Sequence, residues 1–167
     1  MQEGKACPNG NKGAAMCEYR NYQPEDADGC CRLVLDGIAD ATGLDQPRAA
    51  KLGGWIVSER GEDPAAMFCI VALSAGRVIG MGALDGASIK RVYVSRAFRR
   101  RGIGSEICRL LESEARRRGL SQLHLVSYVN AVGFWEALGY AKIRNRDWHL
   151  DGKTVQQTIM AKRLVGR

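Results

Sequence analysis

Apolar positions along this chain change period several times, and each change marks an element. Between Pro24 and Ala41, Cys31, Val34, Leu35 and Ile38 recur at helical spacing. Glu25 and Asp26 fall in the first turn of that helix, where its dipole favours acids. Upstream, Glu18 to Tyr22 predicts a short strand. Gln46 to Ser58 predicts a second helix, led by Asp45 as cap and Pro47 at the first position, with Gly53-Gly54 interrupting it. Arg60 to Pro64 predicts a loop.

A change to strand-like runs follows. Met67 to Leu73 and Arg77 to Leu84 predict two strands joined by the turn Ser74-Ala75-Gly76, a hairpin. Asp85-Gly86 turns the chain into a third strand, Ser88 to Val94. Ser95 to Arg101 predicts a basic loop. The helical period then returns in its clearest form over Ile103 to Arg118. Ile103, Ile107, Leu110, Leu111 and Ala115 form one stripe, and Glu106, Arg109, Glu112, Arg116 and Arg117 are expected to face away. Gly119 ends that helix. Gln122 to Val126 predicts a strand, and Ala131 to Leu138 a short helix closed by Gly139. Tyr140 to Ile143 and Val155 to Lys162 predict two last strands, joined around Asp151-Gly152.

The connection from Ser88–Val94 through the long helix to Gln122–Val126 is long enough for a parallel crossover. The meander before it is antiparallel. The expected fold is therefore α/β of the α+β kind: a mixed, mostly antiparallel central sheet of six to seven strands with helices on both faces.

Composition changes this picture little. The 167 residues fit one domain, and a chain of that size buries enough surface to need no disulfide or metal. Residues 1–15 are rich in Gly, Lys and Asn and are expected to be a disordered leader, with 16–167 as a single domain. No apolar run approaches the roughly 20 residues of a membrane span, and no charged start precedes an apolar run, so neither a membrane nor a secretory leader is expected. Cys7, Cys17, Cys30, Cys31, Cys69 and Cys108 have no metal-ligand spacing and read as reduced thiols. A cytoplasmic protein without a metal is the expectation.

Charge is more informative. The net charge is +7, and Arg96, Arg99, Arg100, Arg101, Arg109, Arg116, Arg117 and Arg118 cluster against Glu106, Glu112 and Glu114. A localised positive field suits an anionic ligand. The strand Val92-Tyr93-Val94 leads into Arg99-Arg100-Arg101-Gly102-Ile103-Gly104-Ser105, which opens the long helix. A helix start presents unpaired N–H groups, Gly102 and Gly104 let a diphosphate approach, and the arginines add donors. Neither the three-glycine dinucleotide fingerprint nor a P-loop is present. Aromatics are scarce among these arginines, Phe98 alone standing between Arg96 and Arg118, so nucleic acid is not expected as a partner.

These residues resemble the acyl-coenzyme A signature of the GNAT N-acetyltransferase superfamily: Arg99-x-x-Gly102-x-Gly104 after Val92-Tyr93-Val94. The stretch Asn130-Ala131-Val132-Gly133-Phe134-Trp135-Glu136-Ala137-Leu138-Gly139-Tyr140 resembles the second block of that family. The resemblance implies a GNAT-type fold over about residues 18–164 and an enzyme that moves an acetyl group from acetyl-CoA, as co-substrate, to a primary amine by direct attack. It implies that the backbone of Val92 and Val94, with Tyr93 between them, holds the pantetheine arm. It implies pyrophosphate binding by Arg99 and the N–H groups of Arg100, Arg101, Gly102, Ile103, Gly104 and Ser105. Asn130 would contact the pantetheine, Phe134 and Trp135 would flank the cofactor, and the Val94 N–H would polarise the thioester carbonyl in a splay between the strands at Val92–Val94 and Gln122–Val126. A homodimer is common in the resembled family.

Bland readings stand beside these: Asn130 as a helix N-cap, and Phe134, Trp135 and Tyr140 as core. One position departs from the family. Trp135 stands where many members carry the tyrosine that protonates the departing thiolate, and an indole N–H is no practical acid. Tyr128 is the candidate substitute; water alone, or a non-catalytic acyl-CoA sensor, are the alternatives. Glu59, Asp85 and His124 are the candidate bases, with a packed histidine as the bland reading of His124. Acids at Glu25, Asp26, Asp28, Asp36, Asp40, Asp45, Glu59 and Glu62 suggest a cationic acceptor, whose identity stays open.

Overall fold

A computed structural model describes residues 17–45, 47–50, 67–150 and 152–164. Seven strands form one sheet: β1 (Glu18–Asn21), β2 (Phe68–Ser74), β3 (Arg77–Asp85), β4 (Ser88–Val94), β5 (Gln122–Tyr128), β6 (Ala141–Leu150) and β7 (Lys153–Arg163). Their order across the sheet is β1-β2-β3-β4-β5-β7-β6. All neighbours are antiparallel except β4 and β5, which run parallel. The expected mixed, mostly antiparallel sheet is what forms.

Three α-helices are described: α1 (Ala27–Thr42), α2 (Ile103–Arg117) and α3 (Val132–Ala137). Residues 47–50 make a further helical turn. The rest of the helix expected over Gln46–Ser58, the loop expected over Arg60–Pro64, and the leader expected over 1–15 lie outside the described residues.

The sheet has two apolar faces, each covered by different helices. On one, Ile103, Ile107, Leu111 and Ala115 of α2 pack with Ile79, Leu84, Leu123, Leu125 and Met160. On the other, Leu33, Val34 and Ile38 of α1 pack with Val71, Leu73, Met81 and Ala83. Alternation along the strands sends successive side chains to opposite faces, which explains two cores from one sheet. Removal of apolar surface from water, which stabilises by roughly 25 cal/mol per Å², drives both.

Helix ends follow the sequence. Gly43 closes α1 at φ 64°, its N–H bonding the Ala39 carbonyl. After α2, Gly119 takes φ 74° and the Leu120 N–H reaches back to the Ala115 carbonyl at 3.0 Å. Both are left-handed closures that glycine adopts without strain.

One helix-face expectation is overturned. Glu112 does not face away but is buried at 7% exposure. At 100° per residue it borders the stripe of Cys108, Leu111 and Ala115. Its carboxylate there accepts bonds from Lys162 Nζ at 2.7 and 2.9 Å and from the Tyr140 hydroxyl at 3.2 Å. Desolvation, with Glu112 beside it, raises the Tyr140 hydroxyl well above its usual range. Tyr140 is core, as expected.

The last hairpin is longer than its apolar pattern predicts. Arg144–His149 carries charge and aromatic residues, yet it pairs rung by rung with β7 from Thr154 to Ile159. Lys153 at its tip donates to the Gly43 carbonyl at 3.1 Å and ties the hairpin to the end of α1.

Candidate functional site

The site begins with a sheet that comes apart. β4 and β5 share one paired position, Ser88 opposite His124, with the His124 N–H bonding the Ala87 carbonyl at 3.0 Å. Beyond it towards Val94 the two strands share no further pairing, and a cleft of about 470 Å³ opens between them. Ser88 to Val94 line one wall, His124 to Tyr128 the other, with Asn130, Ala131 and Trp135 at one end. The expected splay between these strands is present.

A bulge in β4 sets its direction. Met81 pairs with Tyr93 and Ala83 with Lys90, so Arg91 and Val92 together oppose Gly82. Arg91 takes φ 56°, a left-handed conformation that costs a non-glycine residue about 1–3 kcal/mol. Past the bulge, the Ser95 N–H bonds the Ile79 carbonyl at 2.8 Å. Backbone direction alternates along a strand, so Val94 turns its own N–H and C=O away from β3, to the cleft. Its carbonyl accepts the Arg99 Nε–H at 2.9 Å. The side chains of Val92 and Val94 meet the α2 side, whereas Tyr93 crosses to α1 and lies over Gly37.

Below the cleft sits the start of α2. Gly102, at φ 80°, occupies the cap position and offers no side-chain bond to the first turn. The N–H groups of Ile103, Gly104 and Ser105 therefore point outward with the positive end of the dipole. A Cβ on Gly104 would lie 3.3 Å from the Phe134 ring, so the missing side chain there makes room for that ring.

The arginine run is largely neutralised by partners. Arg96 and Arg99 both bind Asp40 at 2.7 Å. Arg109 pairs with Glu106, Arg116 with Glu112, and Arg117 and Arg118 with Glu114. The Arg117 bond, followed by that of Arg118, holds Glu114 down at about 2. Among the described residues Arg100 and Arg101 make no ion pair, and they flank the start of α2. Uncompensated charge is thus concentrated beside the unpaired amides. Arg99, expected on the pyrophosphate, here bonds Asp40 and the Val94 carbonyl, and the Arg99 bond holds Asp40 below the usual carboxylate range.

The second block ends the cleft. Asn130 is exposed and lines it; neither helical segment there carries a side-chain cap, so the N-cap reading does not hold. Trp135 is 7% exposed and packs edge-on against Phe134 and Tyr140, with ring centroids 5.0 and 5.3 Å away. Core packing and cleft lining are the same surface here.

Tyr128 is held by a hydroxyl partner. Its oxygen accepts a hydrogen bond from Tyr93. Burial raises Tyr128 above its usual range even though this bond acts in the opposite direction. Burial raises Tyr93 further still. Of the candidate bases, His124 is exposed on the cleft wall, Asp85 is held by Lys90 at 2.7 Å, and Glu59 lies outside the described residues.

Several of the acids expected to mark a cationic acceptor are held by arginines. Asp26 is bound by Arg20, Asp45 by Arg48, and Asp40, the one acid lining the cleft among the described residues, by Arg96 and Arg99. Glu59 and Glu62 lie outside those residues. Sequence reasoning also missed Arg91 and Arg146, which line the cleft. The thiols of Cys30, Cys31, Cys69 and Cys108 are free, and burial pushes Cys30 and Cys108 up to about 12. Among the described residues no three His, Cys, Asp or Glu side chains gather as a metal site, and no helix is long and apolar enough to cross a membrane.

Comparison with known proteins agrees with this geometry. The model of the Acetyltransferase (GNAT) family matches residues 35–140. No curated protein matches the sequence. Among solved structures, a GCN5-related N-acetyltransferase from Rhodopseudomonas palustris aligns with a TM-score of 0.75 at 19% identity, covering 98% of this chain and 99% of that one. The yncA protein of Salmonella typhimurium, solved with its cofactor acetyl-CoA, gives 0.66 at 16%, covering 90% and 95%. The ribosomal-protein-S18-alanine N-acetyltransferase of Escherichia coli gives 0.66 at 18%, covering 90% and 97%. At these identities the likeness is one of fold.

Proposed function

This chain belongs to the Acetyltransferase (GNAT) family, and on that premise we propose that it transfers the acetyl group of acetyl-CoA to a primary amine by direct attack. The observation that carries the reading is the single β4–β5 pairing at Ser88 and His124, with the open start of α2 beneath the gap it leaves.

The residues present fit such a co-substrate. The outward N–H groups at the start of α2, with the charges of Arg100 and Arg101, suit a pyrophosphate. The stretch from Arg100 to Ser105 is the binding element. Val92 and Val94 offer backbone donors and acceptors to an extended amide-bearing arm, with Tyr93 fixed between them against α1. Asn130 reaches that arm from the other wall, and Phe134 and Trp135 border it. Arg99 acts at one remove, by holding the loop to Asp40.

For the transfer, the Val94 N–H donates to the thioester oxygen where negative charge develops. The amine nitrogen forms the amide bond as the C–S bond breaks. The Tyr128 hydroxyl gives its proton to the leaving sulfur. Because Tyr93 donates to the Tyr128 oxygen, the Tyr128 proton is left to point elsewhere, and the raised pKa keeps it in place at neutral pH. Tyr128 thus takes the role that Trp135 cannot. The proton lost by the amine passes to solvent. On the same reading residues 16–167 form one domain that works in the cytoplasm as a homodimer.

Thiol release from acetyl-CoA, measured over a panel of primary amines, tests this. Amine-dependent release supports transfer. Tight acetyl-CoA binding with no release for any amine would leave a binding module in its place.

A further inference from the structure

On that transferase reading we infer that the acceptor is an amine with a carboxylate a few bonds from its nitrogen, and that Arg146 binds the carboxylate. The charges lining the cleft are the first reason. Lys90, Arg91, Arg99 and Arg146 line it; Lys90 is paired with Asp85, and the one lining acid among the described residues, Asp40, has both oxygens held by Arg96 and Arg99, which leaves Arg146 with no acid partner among those residues. A cationic group beside Arg146 would meet its repulsion, whereas a carboxylate there would be attracted.

The second reason is placement. Arg146 pairs across β6–β7 with Gln157, and Gln157 pairs across β7–β5 with Tyr128. Tyr128 in turn accepts the hydrogen bond of Tyr93 on β4. Directly opposed residues share a sheet face, so Arg146, Gln157, Tyr128 and Tyr93 form one row on the α1 face, and all four line the cleft. Each rung is about 5 Å, which puts the Arg146 backbone roughly 10 Å from that of Tyr128. The arginine side chain shortens this gap to the span of a small amino-carboxylate. Acceptor amine at Tyr128 and Val94, carboxylate at Arg146, is the geometry this row offers.

The third reason is availability. Among the described residues Arg146 makes no ion pair, unlike Arg96, Arg99, Arg109, Arg116, Arg117 and Arg118. A guanidinium facing a cleft presents a planar pair of N–H donors that matches a carboxylate. The carboxylate has two sources: the α-carboxylate of a free amino acid, or an acidic side chain near a peptide's N-terminus.

The test is thiol release with the twenty common L-amino acids against their carboxamides, and with Glu-Ala-amide and Asp-Ala-amide against Gln-Ala-amide and Asn-Ala-amide. Both wild type and Arg146→Gln are measured. The inference expects the carboxylate members to be favoured, and Arg146→Gln to raise their KM roughly 10- to 100-fold. The neutral partners and the acetyl-CoA Kd should stay unchanged. Free amino acids or the acidic dipeptides, whichever responds, identifies the source. Neutral members accepted equally well, or an Arg146→Gln effect equal on both, would overturn the inference. If acetyl-CoA binds but no amine releases thiol, the transferase reading has failed. The acceptor assignment fails with it, and titration of the N-acetyl amino acids and their amides into the coenzyme A complex decides the rest: an Arg146-dependent preference for the acids upholds Arg146 as the carboxylate site, and its absence ends that too.

Discussion

The ring of Tyr93 lies over the bare Cα of Gly37, so that a Cβ there would stand 2.1 Å from Cδ1 and 2.4 Å from Cε1. Helix α1 gives up a side chain at this point to let β4 turn Tyr93 against it and towards Tyr128. Gly37→Ala should therefore do two things. Helix propensity gains about 1 kcal/mol, but overpacking costs about 1–3 kcal/mol and forces Tyr93 to move. The expected outcome is a lower Tm together with a kcat reduced by about tenfold as the Tyr93–Tyr128 bond is lost. A raised Tm with unchanged kcat would contradict the contact.

Tyr128→Phe removes the proposed acid and leaves the ring in place. The expected kcat falls by about 100-fold, while the acetyl-CoA Kd stays within about twofold. Burial raises the Tyr128 hydroxyl above its ordinary 10.0, so any basic limb that it causes in the wild-type profile must lie above that pH. A wild-type limb near neutrality that survives in Tyr128→Phe belongs to another group.

Asp26 gives a pH-dependent stability test at a site remote from catalysis. Burial alone would raise its pKa, but Arg20 donates to both oxygens at 2.7 and 2.9 Å and the Gln23 N–H adds a bond at 2.8 Å, and the net direction is downward. A depressed folded-state pKa means stability that is present above the ordinary value of 3.8 and lost as pH falls through the folded value. Asp26→Asn should lower Tm at pH 7, and the gap to wild type should shrink below pH 4. Thermal melts at several pH values measure this; a gap constant from pH 7 to 3 would show that the ion pair contributes nothing.

Much of this was legible in the sequence because local chemistry fixed it. The β2–β3 hairpin, α1, α2 with its closing Gly119, and the strand–loop–helix of Val92 to Ser105 follow from periodicity and turn residues. The misreadings share a different cause. Glu112 borders an apolar stripe, and only the arrival of Lys162 from β7, fifty positions on, makes its burial tolerable. Asp40 is 56 and 59 positions from Arg96 and Arg99, so no window on the sequence joins them. Residues 144–150 read as polar because cross-strand partners on β7, not apolar alternation, hold them as strand. Arg146 gained meaning only when the register aligned it with Gln157 and Tyr128.

The most direct test of the account concerns the start of α2. Ser105 is exposed in the first turn, where Ser105→Glu should support the helix by about 0.3–1 kcal/mol while setting a negative charge against any phosphate. Acetyl-CoA is titrated calorimetrically into wild type and Ser105→Glu, with Tm measured on both. The account predicts a Kd of about 1–100 μM for wild type, weakened by at least about tenfold in the variant, whose Tm is unchanged or raised. No binding by wild type, or equal binding by both proteins, would contradict it.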